Sequence, residues 1–261
     1  MKWTFFGKVI PERVPVNWET PLEGSARSPV GFSFKFRVAI HHSQVVVDIQ
    51  VTEGASDLAD VTTLRNCATD CTRIITDLVG YQCGYYLDVE IISAVSQETN
   101  EWSVFGIEVP VLASRRNKRD HGVVDARLVR VIGRSIPAQI VLADFREAMR
   151  TPVGTGFFCY RAIETMMQSM KVAPQEKKSS AWARLRETLS IDRTAIDAIK
   201  QHADLPRHGS PSVILDTERA KVFILADEII KRFLEYLIRG EKALPSEEFP
   251  VLTSGTQNPA Q

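Results

Sequence analysis

Long apolar runs are missing from this sequence: nowhere does it approach the roughly 18 uninterrupted hydrophobic residues that a bilayer span requires. Met1-Lys2-Trp3 does not open a cleavable leader, so a cytoplasmic protein with no membrane partner is expected. Cysteine is scarce, with 4 in 261 residues, too few for the disulfide framework of a secreted scaffold. Cys67, Cys71, Cys83 and Cys159 are therefore read as reduced thiols. Cys67 and Cys71 share a helical face at i and i+4, but no second pair of ligands accompanies them. They read as small buried hydrophobes, and no metal is expected.

An excess of either charge is also lacking. The 32 basic and 32 acidic residues cancel, which removes any overall field toward a polyanion or a membrane surface. Nucleic-acid binding would need a local patch. The one dense basic run, Arg115-Arg116-Asn117-Lys118-Arg119, reads first as a solvated loop and second as a phosphate-contacting one. No glycine-rich phosphate loop is present, because Gly154-Thr155-Gly156 lacks the lysine and the longer spacing. No Gly-x-Ser-x-Gly elbow marks a hydrolase. The tryptophans Trp3, Trp18, Trp102 and Trp182 are scattered and make no stacking platform. His41 and His42 sit at an expected turn, where adjacent strand residues point to opposite faces and so do not form a metal pair. No cofactor is expected.

What is there is an ordinary globular balance, 44% hydrophobic and 25% charged, in a chain longer than the usual single domain. Alternation dominates the start. Phe32, Phe34, Phe36, Val38 and Ile40 fall on one face of a pleated strand, and Gln44 to Val51 supplies a β-branched partner after a turn at His41-His42-Ser43. Trp3 to Val9 reads as another strand ended by Pro11 and Pro15, and the segment from Pro11 to Pro29 as edge or loop. From Ser56 the period becomes helical through Leu58, Val61, Leu64, Ala68, Cys71, Ile75 and Leu78, with Ser56 or Asp57 as cap and Gly80 as terminator. Strands near 84–95 and 102–112 follow, joined through Glu98-Thr99-Asn100. The front half thus reads as two strand groups around one covering helix.

Behind the basic run, helices take over. Pro137 suits a first turn, with Ile140, Val141, Phe145 and Met149 inward. A second helix carries Phe157, Phe158, Tyr160, Ile163, Met166, Met167 and Met170, whose methionine stripe reads as core. A third carries Trp182, Leu185 and Leu189. Ser190 reads as the cap of a fourth, through Ile191, Ala195, Ile196 and Ile199, which must end near Asp204 because Pro206 biases Leu205 out of helical geometry. The longest runs from about Asp216 to Arg239 and stops at Gly240. The expected fold class is α+β: an N-terminal strand-rich domain over 1–130, a helical bundle over 131–242 and a disordered tail over 243–261.

Tyr160-Arg161-Ala162-Ile163-Glu164 on the second helix and Ala203-Asp204-Leu205-Pro206-Arg207-His208-Gly209 after the fourth, in a five-helix half with a long closing helix, resemble the HEPN superfamily. That likeness covers the back half only. Its members include ribonucleases and non-catalytic RNA- or nucleotide-binding modules, and the catalytic ones pair an arginine with a histidine some five to seven positions on across a dimer. His208 and Gly209 fit the end of the motif. The arginine is displaced, with Arg207 adjacent to His208 and Gln201, His202, Ala203 and Asp204 upstream. The resemblance implies an RNA- or nucleotide-binding protein, or a stress or defence ribonuclease, dimerising through this half. In it His208 would be general acid/base and Arg207 phosphate stabiliser, supported by Arg161 and Glu164. Without catalysis, Arg161, Arg207 and His208 would form a cationic pocket for a phosphate. The whole layout, from Trp3-Thr4-Phe5 to Arg207-His208-Gly209, is also similar to uncharacterised bacterial proteins, among them the methylamine-utilisation accessory type. The competing reading is a non-enzymatic scaffold, with the strand-rich half as partner surface and Arg207 tied to a carboxylate such as Glu164.

Overall fold

A computed structural model describes residues 1–13, 15–54, 59–116, 125–209 and 214–255. The chain divides into two compact units, Met1–Ile107 and Glu108–Gln261, each around its own apolar core. The boundary falls earlier than the expected 130, because the first turn of helix after it already buries Leu112 among the helices.

Unit one is an antiparallel sheet of β1 (Lys2–Ile10), β2 (Trp18–Arg27), β3 (Ser33–His41), β4 (Gln44–Glu53), β5 (Asp88–Ser96) and β6 (Trp102–Val104). The spatial order is β2-β3-β4-β1-β5-β6. The two expected strand groups are therefore one sheet, since β1 pairs with β4 on one side and β5 on the other. Alternation works as expected in β3: Phe34, Val38 and Ile40 are buried beside Phe32, while Phe36 is half-buried. The β3–β4 turn places His42 and Ser43 at φ 46° and 61°, the doubly positive geometry that matches strand twist. β2, which contains Pro21, takes the edge position that proline allows.

Helix α1 (Val61–Cys83) lays Leu64, Cys67, Ala68, Cys71 and Ile75 against one sheet face. Its cap is Asp60, which accepts from the Thr63 amide at 2.9 Å; the expected caps Ser56 and Asp57 lie outside the described residues. Gly80 does not end the helix. It stays helical and lets the Tyr85 carbonyl approach to where a Cβ would stand 2.8 Å away, and Gly84, at φ 67°, makes the stop. The strand expected over 102–112 ends at Val104, because Pro110 cannot donate to a ladder and opens α2 (Pro110–Ala113) instead.

Unit two contains, besides α2, α3 (Ala126–Arg134), α4 (Ile136–Arg150), α5 (Thr155–Ser169), α6 (Lys178–Leu189), α7 (Arg193–Lys200), α8 (Asp204–Arg207) and α9 (Asp216–Ile238). α5 is central, with Ile163, Met166 and Met167 fully buried, so the methionine stripe is core. α4 faces inward through Ala138, Val141, Asp144, Phe145 and Ala148. Ile140 and Met149, expected inside, flank that row and are 44% and 37% exposed.

Three other expectations are corrected. Ser190, at φ 55°, closes α6 rather than opening α7, whose cap is Asp192. Pro206 lies inside the short turn α8 instead of after a helix, where its missing amide is one a first turn leaves unpaired. The tail expected to be disordered packs back as far as Ser254: Leu244 and Leu252 are buried, Ile191 and Leu252 form a parallel bridge, and the Ser254 amide donates to Thr194 Oγ1 at 3.4 Å. Two leucines and Phe249 suffice for this because Arg232 donates to the Pro250 carbonyl at 2.8 Å. Among the described residues no helix is long and apolar enough to cross a membrane.

Candidate functional site

The expected site residues Arg161, Glu164, Arg207 and His208 lie on α5 and at the end of α8. α5 is held at its start by Gly156, where an added Cβ would stand 2.4 Å from the His202 carbonyl oxygen. Neighbouring Thr155 is buried, donating to the Ala148 carbonyl at 3.1 Å and accepting from Arg219 Nε at 2.9 Å. This contact draws the chain just before α8 against α5.

One helical turn further, α5 sends its two charged groups in different directions. Arg161 turns to α4, where Nε donates to Asp144 Oδ1 at 3.0 Å and Nη2 donates to the same oxygen. The guanidinium carbon lies 4.9 Å from the Phe158 ring centroid and 5.4 Å from that of Phe157. The hydrogen bond to Asp144 raises the arginine's pKa further. Asp144 is 2% exposed, and its Oδ2 has no hydrogen-bond partner among the described residues. Arg161 therefore neutralises a buried carboxylate. Sequence reasoning missed Asp144, although an acid within the apolar row Val141, Phe145, Ala148 was a visible signal that a cation must come to it.

Glu164 turns to α8, where its Oε1 stands 3.7 Å from Arg207 Nη1. This is the carboxylate pairing the scaffold reading anticipated. Both side chains are partly open to water, at 45% for Arg207 and 26% for Glu164. Beneath them Tyr160 is buried and stacks on Trp182 at 6.1 Å between centroids. Burial first, and then the Glu164 carboxylate, push its phenol above the ordinary value.

His208 follows α8 as an exposed residue. Its amide donates to the Asp204 carbonyl at 3.2 Å, and Gly209, at φ 74°, closes the turn. The His208 ring has no side-chain partner among the described residues and does not cap carbonyls there. The structure thus joins Glu164 with Arg207, leaves His208 beside them in sequence, and takes Arg161 away to Asp144.

The remaining candidates are structural or lie elsewhere. Burial raises the Cys67 thiol to about 11 and Cys71 to about 12, with Cys159 also raised. No cluster of three metal-ligating side chains occurs among the described residues. His41 and His42 do not diverge as strand neighbours would. Their ring centroids are 4.4 Å apart, edge to face, because His42 occupies a left-handed turn position. Of the basic run only Arg115 and Arg116 are described, and Arg116 pairs with buried Asp227 on α9; residues 117–119 lie outside the described residues.

No curated protein and no solved structure matches the chain. Residues 3–105 match the model described as Domain of unknown function (DUF8168) N-terminal domain, and residues 127–238 match the Domain of unknown function (DUF8168) C-terminal domain. In sequence order the chain therefore carries both domains of the DUF8168 family.

Proposed function

We propose that the protein binds RNA or a nucleotide through its helical unit, with Arg207 and His208 contacting phosphate. The carrying observation is the solvent-open, 3.7 Å pairing of Arg207 with Glu164 next to an imidazole that has no side-chain partner among the described residues. An exposed ion pair of this length contributes about 0 to 1 kcal/mol, so an incoming phosphate can replace Glu164 at small cost. Arg161 is excluded from that role, because releasing it would strand a buried carboxylate. A contact made by Arg207 and His208 alone is therefore favoured over the pocket of Arg161, Arg207 and His208 that the resemblance offers as one alternative.

The HEPN-like pattern adds a catalytic version of this reading. Here His208 transfers the proton, Arg207 stabilises the phosphorane charge, Glu164 orients Arg207, and two copies meet through the helical unit in a stress or defence role. The test is a panel of labelled single-stranded RNAs with wild type, R207A and H208A. Weakened RNA binding in both variants supports the proposal, and lost cleavage in H208A supports its catalytic version. A wild-type protein that neither binds nor cleaves any RNA offered ends both.

One observation favours a non-enzymatic scaffold instead. Ile74, Leu78 and Tyr81 recur at helical spacing on the solvent side of α1 and are all exposed, as a partner-binding surface on the strand-rich unit would require. Under that reading H208A removes no activity and R207A alters stability alone.

A further inference from the structure

We propose that the outward face of α3 is a second phosphate-contacting surface, where Arg127, Arg130 and Arg134 grip the backbone of a polynucleotide. The inference rests on the nucleic-acid reading above but on neither Arg207 nor His208.

α3 reads Ala-Arg-Leu-Val-Arg-Val-Ile-Gly-Arg and contains no acidic residue. At 100° per residue its three arginines fall within an arc of about 60°, and at 1.5 Å per residue they span about 10 Å along the axis. All three are exposed. None has a side-chain partner among the described residues, whereas several arginines elsewhere are matched to acids: Arg73 to Asp88, Arg161 to Asp144, Arg184 to Glu176, and Arg239 to Glu235 and Glu248. A chain with no net charge thus concentrates on one short helix three guanidiniums that have no acidic partner among the described residues. That row costs self-repulsion and, among the described residues, gains no ion pair in return. Planar, permanently charged forks in a row suit successive phosphates, which accept bidentate hydrogen bonds.

A basic amphipathic helix can instead lie on an anionic membrane, but that mode needs a free apolar face, usually with aromatic anchors. α3 has no aromatic residue, and its apolar side is engaged: it packs on α4 and α9, with Ile132 against the helical core and Leu128 half-buried. Only Val129, 54% exposed, is left. A polyphosphate chain that reads charge spacing without needing apolar insertion is the better match.

The test uses the full chain, a labelled single-stranded RNA, RNA and DNA duplexes of equal length, and phosphatidylserine vesicles across a salt series. For a single strand each phosphate contact contributes about 0.7 to the slope of log K against log salt. Replacing three contacts in R127Q/R130Q/R134Q should therefore flatten the slope by about 2 and weaken binding on the order of 50-fold near 0.15 M salt. R127K/R130K/R134K keeps the charge and should retain most of the affinity, which separates loss of contact from loss of fold. The duplex arms identify which polynucleotide is preferred.

An unchanged slope and affinity in the glutamine variant overturns the proposal, as does binding to vesicles with none to any polynucleotide. If the glutamine variant binds normally while R207A/H208A does not, the α3 face fails and the Arg207–His208 reading stands. The reverse pattern assigns the contact to α3 and removes it from α8. A wild type that binds no polynucleotide sinks both.

Discussion

At the residue scale the decisive contrast lies between two arginines. Arg161 meets a carboxylate that is almost wholly buried, whereas Arg207 meets one that water still reaches. Only the carboxylate of the Arg161 pair is buried, the guanidinium being 46% exposed, so water screens part of the loss and R161A should lower unfolding stability by about 1 to 3 kcal/mol in a urea titration. R207A should change it by less than about 1 kcal/mol. H208A, at an exposed ring, should leave the melting temperature unchanged while weakening RNA binding. The thiols make a separate forecast. Burial raises Cys67 to about 11 and Cys71 to about 12 in the folded protein, against about 8.5 when unfolded. Folding then disfavours the thiolate. The stability from these groups is complete below pH 8.5 and is lost as pH rises through 11 to 12, which alkaline denaturation compared with C67A/C71A would reveal. Under native conditions a thiol reagent should label Cys83 first, since the other three are buried.

At the element scale, the contacts that fix α5 and the end of α9 were not visible as patterns. Gly156 stands against the His202 carbonyl with no room for a methyl group. G156A should cost about 1 to 3 kcal/mol as the segment before α8 shifts away, and a lowered melting temperature with reduced RNA binding would tie that packing to the site. Arg232, 5% exposed on α9, donates to the Leu189, Ser190 and Pro250 carbonyls. It satisfies the open end of α6 and secures the returning tail with one side chain. In the sequence it was simply one more charge on the longest helix. α3 escaped notice because three arginines in nine residues mask an apolar stripe; its register emerges only once Ile132 is seen against the core.

At the scale of the whole molecule, two separate cores make two stability problems. A chain ended at residue 242 should fold less stably than one ended at 255, since it loses the buried Leu244 and Leu252 and strips Arg232 of an acceptor. Burying a leucine is worth about 1.5 to 3 kcal/mol, so a drop of several kcal/mol in the helical unit's transition is expected by calorimetry. The sequence by itself determined the α+β class, the hairpin at His42-Ser43, the core role of the methionines and the extent of α9. All of these follow from side-chain periodicity and local backbone preference, which are properties of near neighbours. Only the tertiary structure decided that β1 joins both strand groups, that Arg161 belongs to Asp144, that the tail packs, and that the three arginines of α3 have no acidic partner among the described residues. Each depends on which distant residue supplies a hydrogen-bonding edge, a counter-charge or an apolar surface. Periodicity carries no information about that choice, because it fixes which face a residue occupies and not what the face meets.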